Sequence, residues 1–168
     1  YCKNGLNKAK EYFGPGNPIV NYMDVDANNS ISTSKINGKV MVDAAELKAY
    51  DVQRGDVFFT RTSETVDEIA ASAVVLGETT STVFSGFLLR ARPKNNILLD
   101  EFKAYCFQAR YIRSQITSTS SYTTRALTNG RLLSNVIIKI PPIEQQAEIA
   151  AGLNAMDTEI TALEARRA

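Results

Sequence analysis

The side chains best equipped to act on another molecule fall in three short clusters. Lys8 and Lys10 sit in a glycine-flanked N-terminal loop. Arg61, Thr62 and Ser63 lie just past an apolar run, and Tyr122, Thr123, Thr124 and Arg125 follow a basic, periodic segment. Ammonium and guanidinium groups neutralise phosphates, arginine can grip a guanine edge with two hydrogen bonds, and hydroxyls serve either phosphate or base. The chemistry on offer is recognition of a polyanion rather than the making or breaking of bonds. Histidine is absent from all 168 residues, which removes serine-histidine triads, thiol-imidazole dyads and the usual zinc sets. Cys2 and Cys106 stand far apart and are expected to be reduced, with Cys106 in the core. No catalytic residue, metal site or cofactor is expected.

The net charge of +1 does not by itself point to a polyanion, but the charges are unevenly placed. From Phe102 to Ile143 there are six basic residues (Lys103, Arg110, Arg113, Arg125, Arg131, Lys139) and no acidic one. The stretch from Asp43 to Glu78 is acidic, and so is the C-terminal end, with Glu144, Glu148, Asp157, Glu159 and Glu164 against Arg166 and Arg167. A hydrophobic fraction of 44% and a charged fraction of 22% describe an ordinary globular chain with one core. No apolar run reaches the roughly 18 residues needed to cross a bilayer, so no membrane role is expected and the cytoplasm is the default location. The chain starts at Tyr1 without an initiator methionine and stops inside a helical pattern, as expected of a piece of something longer.

These clusters need elements to position them. Residues 1–17 read as a loop ending in Gly14-Pro15-Gly16-Asn17-Pro18, and Pro18–Val25 alternates as a short strand does. Lys39–Val42 is a second strand, and Asp43 caps a helix over Ala44–Tyr50. Gly55-Asp56 turns into a strand at Val57–Arg61, and Ala73–Leu76 and Phe84–Arg92 are further strands. From Asp100, the spacing of Phe102, Tyr105, Cys106, Ala109, Ile112 and Ile116 predicts one amphipathic helix whose other face shows Lys103, Arg110 and Arg113. A polar loop, Thr117–Thr124, and a last strand, Asn135–Ile140, lead into Pro141-Pro142. Past that point Ile149, Leu153, Met156, Ile160 and Leu163 are spaced four, three, four, three. That is a heptad seam, and an isolated helix of this length needs a partner for it. The expected fold class is α+β: a twisted mixed or antiparallel sheet with a short packed helix over residues 1–141, then a protruding coiled-coil-type helix over residues 142–168.

Four stretches, in order, resemble the target recognition domains of Type I restriction-modification specificity subunits. They are Gly5–Gly14 with Pro18–Val25, Gly55–Glu64, Phe84–Arg90, and Ile140-Pro141-Pro142-Ile143-Glu144-Gln145-Gln146 with Ile149. The resemblance covers nearly the whole chain, and its last segment is the most specific. It implies a non-catalytic subunit that reads a bipartite target in double-stranded DNA. It also implies partners: modification (methyltransferase) subunits, restriction subunits through them, and a second recognition half or second copy met through the C-terminal helix. Whether the chain is a natural half-subunit or part of a two-domain one is left open.

Two other readings compete with this one. A recognition domain fused to an adenine methyltransferase would bring a glycine-rich cofactor loop and an Asn-Pro-Pro-aromatic segment, and both are absent here. A pure interaction module dimerising through its helix would have no need of a 42-residue stretch free of acids.

Overall fold

In the computed structural model, residues 2–122 and 125–167 are described. Their strands are β1 (Cys2–Asn4), β2 (Phe13–Val20), β3 (Ser30–Ile31), β4 (Lys39–Val40), β5 (Val57–Thr60), β6 (Thr62–Ser63), β7 (Ser72–Val75), β8 (Val83–Phe84), β9 (Leu88–Ala91), β10 (Ser121–Tyr122) and β11 (Ala126–Leu127). The helices are α1 (Tyr22–Asp26), α2 (Ala44–Ala49), α3 (Asp100–Cys106), α4 (Arg110–Thr119), α5 (Gly130–Leu133) and α6 (Ile143–Arg167). The main sheet runs β1-β9-β5-β7-β3 and is antiparallel except where β3 joins β7. Two three-stranded sheets, β4-β2-β8 and β10-β11-β6, flank it. The class is the expected mixed α+β, with a long C-terminal helix.

Both faces of the main sheet are covered. Phe58, Ala73, Val75 and Leu88 pack with Val20, Val25 and Phe84 on one side, while Val57, Phe59, Val74 and Leu89 meet Ala104, Ile112 and Ile116 on the other. Neighbouring strand residues point to opposite faces, so a sheet buried twice over has central strands that are apolar along most of their length, with Thr60 and Ser72 as buried polar ends. All four residues of β5 and of β7 are buried.

Several boundaries move from the sequence expectation, each for a local reason. Gly14-Pro15-Gly16 is not a free loop but a bulge in β2, since Phe13 and Asn17 both pair with Val40. Gly16 has φ +107, and a Cβ there would meet the Val40 carbonyl oxygen at 2.4 Å, so only glycine fits. The strand expected over Pro18–Val25 ends at Val20, because the Asp24 carboxylate accepts the Asn21 N–H at 2.7 Å and closes the first turn of α1. α2 starts where expected: Asp43 accepts from the Glu46 N–H at 2.8 Å and Glu46 accepts from the Asp43 N–H at 3.0 Å, a reciprocal cap. Phe84–Arg92 is broken at residues 85–87 by a turn in which the Leu88 N–H donates to the Ser85 carbonyl at 3.0 Å.

The single helix expected from Asp100 is two helices. Ala109 is extended (ψ 133°), and the chain restarts at Arg110. The break lets Phe102 and Cys106 face α6 while Ile112 and Ile116 face the sheet. Thr117–Thr119 finish α4 rather than form a loop, with the Thr119 hydroxyl donating to the Gln115 carbonyl at 3.0 Å. Asn135–Ile140 form no strand. Side chains of α4 hold their backbone instead: Gln115 accepts from and donates to Ile137 at 2.9 and 3.0 Å, and the Tyr111 hydroxyl accepts from Lys139 at 3.2 Å.

Two buried networks fix the ends of these elements. Asp56, almost wholly buried, takes two hydrogen bonds from Arg92 at 2.7 Å each and one from the Gln53 N–H at 2.8 Å. Arg92 and the buried Arg90 both reach Asp51 at the end of α2. Further along, Gln146 in the first turns of α6 is buried. Its amide oxygen accepts from the Leu99 N–H, and its amide nitrogen donates to the Ile97 and Pro141 carbonyls, all at 2.9 Å. This explains why the Pro-Pro-Ile-Glu-Gln-Gln segment carried so much signal: its second glutamine is the clasp that holds the helix to the body.

Asp51 yields a test in acid. Burial opposes its ionisation, but Arg92, Gln53 and Arg90 outweigh that and hold its carboxyl below the ordinary value of 3.8. A group whose pKa is lower in the folded state stabilises the fold above its unfolded value, and that contribution is lost as pH falls through the folded value. Urea midpoints should therefore drop as pH falls below about 4, and Asp51→Asn should flatten that decline. An unchanged acid limb in the variant would show that Asp51 carries none of it.

Candidate nucleic-acid interface

The three clusters are brought unequally together. Thr62, Ser63 and Arg125 line one recess of about 460 Å³ with Tyr22, Glu68 and Phe87. Ladder pairing causes this, since β11 lies antiparallel to β6 with Ala126 opposite Ser63 and Leu127 opposite Thr62, so Arg125 follows the edge of the recess. Ser63 is buried. Its hydroxyl accepts the Thr65 N–H at 3.3 Å and lies 3.4 Å from Glu68, so it shapes the loop more than it faces outward. Arg125 is exposed and among the described residues has only a long 3.9 Å pairing with Glu64, itself exposed at the rim.

Arg61 does not pair with Glu64 or Asp67. Its guanidinium donates to the Gly86 carbonyl at 2.8 Å, and its N–H donates to the Phe87 carbonyl at 3.1 Å. Gly86 in turn donates to the Leu6 carbonyl at 2.8 Å. The turn at residues 85–87 is thus held from both sides, and it presents Phe87 67% exposed, a large apolar ring mostly open to solvent. Phe87 was not among the sequence candidates. The Ser85-Gly86 pair just before it is a turn signal that the apolar residues on either side masked.

Lys8 and Lys10 do not line this recess. Lys8 pairs with Glu46 at 2.8 Å and lies over the Tyr12 ring at 4.4 Å; the hydrogen bond to Glu46 raises its pKa. Lys10 is exposed in a 3-10 turn, Lys10–Tyr12. Tyr122 lies in β10, opposite Ala126. Thr124, like Thr123, lies outside the described residues.

The acid-free stretch is less available than its charge count implies. Lys103 is buried, donating to Asp100 at 2.7 Å and to the Gly55 carbonyl at 3.3 Å. The Arg113 guanidinium donates to the Ala70 and Asp67 carbonyls at 3.0 and 2.7 Å, and burial lowers its pKa. Those two cations brace turns, while Arg110, Arg125, Arg131 and Lys139 remain exposed.

The heptad residues are exposed as well: Ile149, Leu153, Met156, Ile160 and Leu163 all lie at the surface of α6. The face that α6 does bury is a different one, through Gln146 and Ala150 against α3. Tyr105 adds a hydrogen bond to Asp157 at 3.0 Å, and burial together with that carboxylate pushes its hydroxyl up to about 12. Both cysteines are free. Burial pushes the Cys106 thiol up to about 12 and raises that of Cys2, which leaves both poorly nucleophilic. Among the described residues no three His, Cys, Asp or Glu side chains are grouped to hold a metal ion.

The recess therefore offers hydroxyls, a guanidinium, carboxylates and an aromatic ring on a rigid support. These suit the mixed donor, acceptor and methyl groups of base edges. Phe87→Ala should weaken duplex binding and change which sequence is enriched from a randomised pool, without moving the thermal midpoint, because the ring is mostly open to solvent. Unchanged affinity and preference would remove Phe87 from the interface.

Comparison with known proteins bears on the same question. The family model for the Type I restriction modification DNA specificity domain matches residues 2–168. Among solved structures, one from work on complex assembly and conformational transition of the type I R-M system aligns over 98% of this chain at TM-score 0.67 and 17% identity, covering 37% of its own length. The HsdS subunit from Thermoanaerobacter tengcongensis aligns over 99% at TM-score 0.63 and 17% identity, covering 37% of that chain. The S subunit of a Type-I restriction-modification system from M. genitalium aligns over 98% at TM-score 0.61 and 14% identity, covering 38%. These likenesses establish the fold, and this chain spans under two fifths of the length of each structure. No curated protein matches in sequence.

Proposed function

The chain belongs to the family of Type I restriction-modification DNA specificity domains, and from that membership we propose that it reads one part of a split target in double-stranded DNA. The observation that carries the reading is the family match along residues 2–168, and the recess of Thr62, Phe87 and Arg125 supports it from the chemistry. Specificity requires base-edge contacts in addition to phosphate contacts, and a rigid, mixed-polarity recess is suited to the former. The domain itself would do no chemistry. It would bring modification subunits, and restriction subunits through them, to the target. Among the described residues no helix is long and apolar enough to cross a membrane, and a cytoplasmic location would fit the proposed role.

Mobility-shift titration of the chain against pooled and enriched duplexes at two salt concentrations tests this. Binding should fall steeply with salt, and one duplex family should be enriched. Failure to bind any duplex at low salt would refute the reading.

The exposed seam of α6 supports a second part of the proposal, association with another helix. That helix would belong to a second recognition half in a full assembly, or to a second copy where the chain stands alone. An apolar stripe left uncovered on an otherwise polar helix is stabilised by pairing. Replacing Leu153 and Ile160 by Asp should abolish self-association in sedimentation and leave the thermal midpoint of the body in place. A wild type that sediments as a monomer at all concentrations would overturn self-pairing.

A further inference from the structure

A second hollow, of about 360 Å³, is lined by Asn4, Arg61, Asn129 and Arg131 and by no carboxylate among the described residues. Its position depends on close approach of two segments. The Thr128 N–H donates to the Arg61 carbonyl at 3.0 Å, which draws residues 128–131 alongside β5 and β6. A Cβ on Gly130 would come within 2.8 Å of the Cys2 Cβ, so glycine at that position lets Arg131 and Asn4 share one hollow.

The groups facing this hollow are short of partners. Arg61 spends one guanidinium nitrogen on Gly86, while its Nε is buried with no hydrogen-bond partner among the described residues. Arg131 is exposed and makes no ion pair among them. Asn129 accepts from the Arg131 and Leu132 N–H groups at 3.0 and 3.1 Å, which occupies its oxygen and leaves its amide nitrogen as the available donor.

We propose that this hollow seats a backbone phosphate of bound DNA, held by Arg61, Arg131 and the Asn129 amide. The proposal rests on the DNA-reading function above and assigns it a phosphate contact. Two guanidinium groups and an amide N–H are donors only and together carry a double positive charge, which a phosphate oxyanion neutralises and the uncharged acceptors of a guanine edge do not. The neighbouring recess differs in kind: Glu64 and Glu68 line it and would repel a phosphate. The two hollows thus divide the work between them. One holds the strand in register and the other reads bases.

The test uses the whole chain with Arg131→Ala and Arg131→Lys, titrated at several salt concentrations against a random-sequence duplex pool and against the duplex enriched by the wild type. Loss of one phosphate contact should lower the slope of log affinity against log salt by about 0.9 in Arg131→Ala, with the same fold-loss on both DNAs, and Arg131→Lys should restore the slope. Arg131→Gln replaces the alanine variant if that one fails to keep the wild-type melting curve. An unchanged slope, or a loss confined to the enriched duplex, would overturn the phosphate assignment while leaving DNA reading intact. A wild type that binds neither DNA would overturn both.

Discussion

Val57, Phe58 and Phe59 are consecutive in one strand and all three are buried, which is possible only where a sheet is covered on both faces. The rest of the structure answers to that constraint. Each fully buried Phe, Leu or Val contributes roughly 1.5–3 kcal/mol, and Phe58, Phe84, Leu88 and Leu89 are all essentially inaccessible. No side chain of the central strands is left over for a ligand, so recognition has to come from strand ends, turns and the small flanking sheets. That is where Thr62, Phe87 and Arg125 lie, with Arg131 on the short helix α5 beside β1.

The same burial dictates how charge is handled. Arg90 is among the most buried side chains in the molecule, stacked 5.1 Å from the Phe84 ring and paired with Asp51. Charges this deep are tolerated only when paired, and losing one partner of such a pair costs about 3–5 kcal/mol. The network of Asp51, Asp56, Arg90 and Arg92 therefore ties the end of α2 and the turn at Gly55 to β9. Gly55 itself has φ +82, and Asp100 and Lys103 close over it, so a side chain would have neither the conformation nor the room. A motif that reads in sequence as a turn before a strand is, in space, the junction where α3 meets the sheet.

Rigidity at the sheet ends has a functional use. Arg61, Gly86 and Leu6 are linked by hydrogen bonds into one support, so Phe87 is presented without a flexible loop beneath it. The Gln146 clasp does the same for α6. With the helix gripped through one face, its heptad face is left to meet something else. The proposed role would use both of these features, a recess and a helix that cannot drift relative to each other.

Sequence alone determined the class of the protein: the family resemblance, the α+β mixture, the Asp43 cap, the apolar strands at Val57 and Phe84, and the helix beginning past Pro142. These are local signals, since cap chemistry, periodicity and proline placement act over a few residues. Tertiary structure decided which cations are free. Lys103 and Arg113 look like an exposed basic face in a helical projection, yet each is consumed by backbone carbonyls contributed from far along the chain, with the neighbouring Asp100 carboxylate added for Lys103. Arg131 stood out in sequence only as one more charge of the acid-free stretch, and Asn129 gave no signal, because the significance of both depends on meeting Arg61 and Asn4. That juxtaposition is produced by β11 pairing with β6 and by the space Gly130 leaves beside Cys2. Long-range pairing leaves no trace in the local pattern of side chains, which is why the fold was legible and the division of the site into two hollows was not.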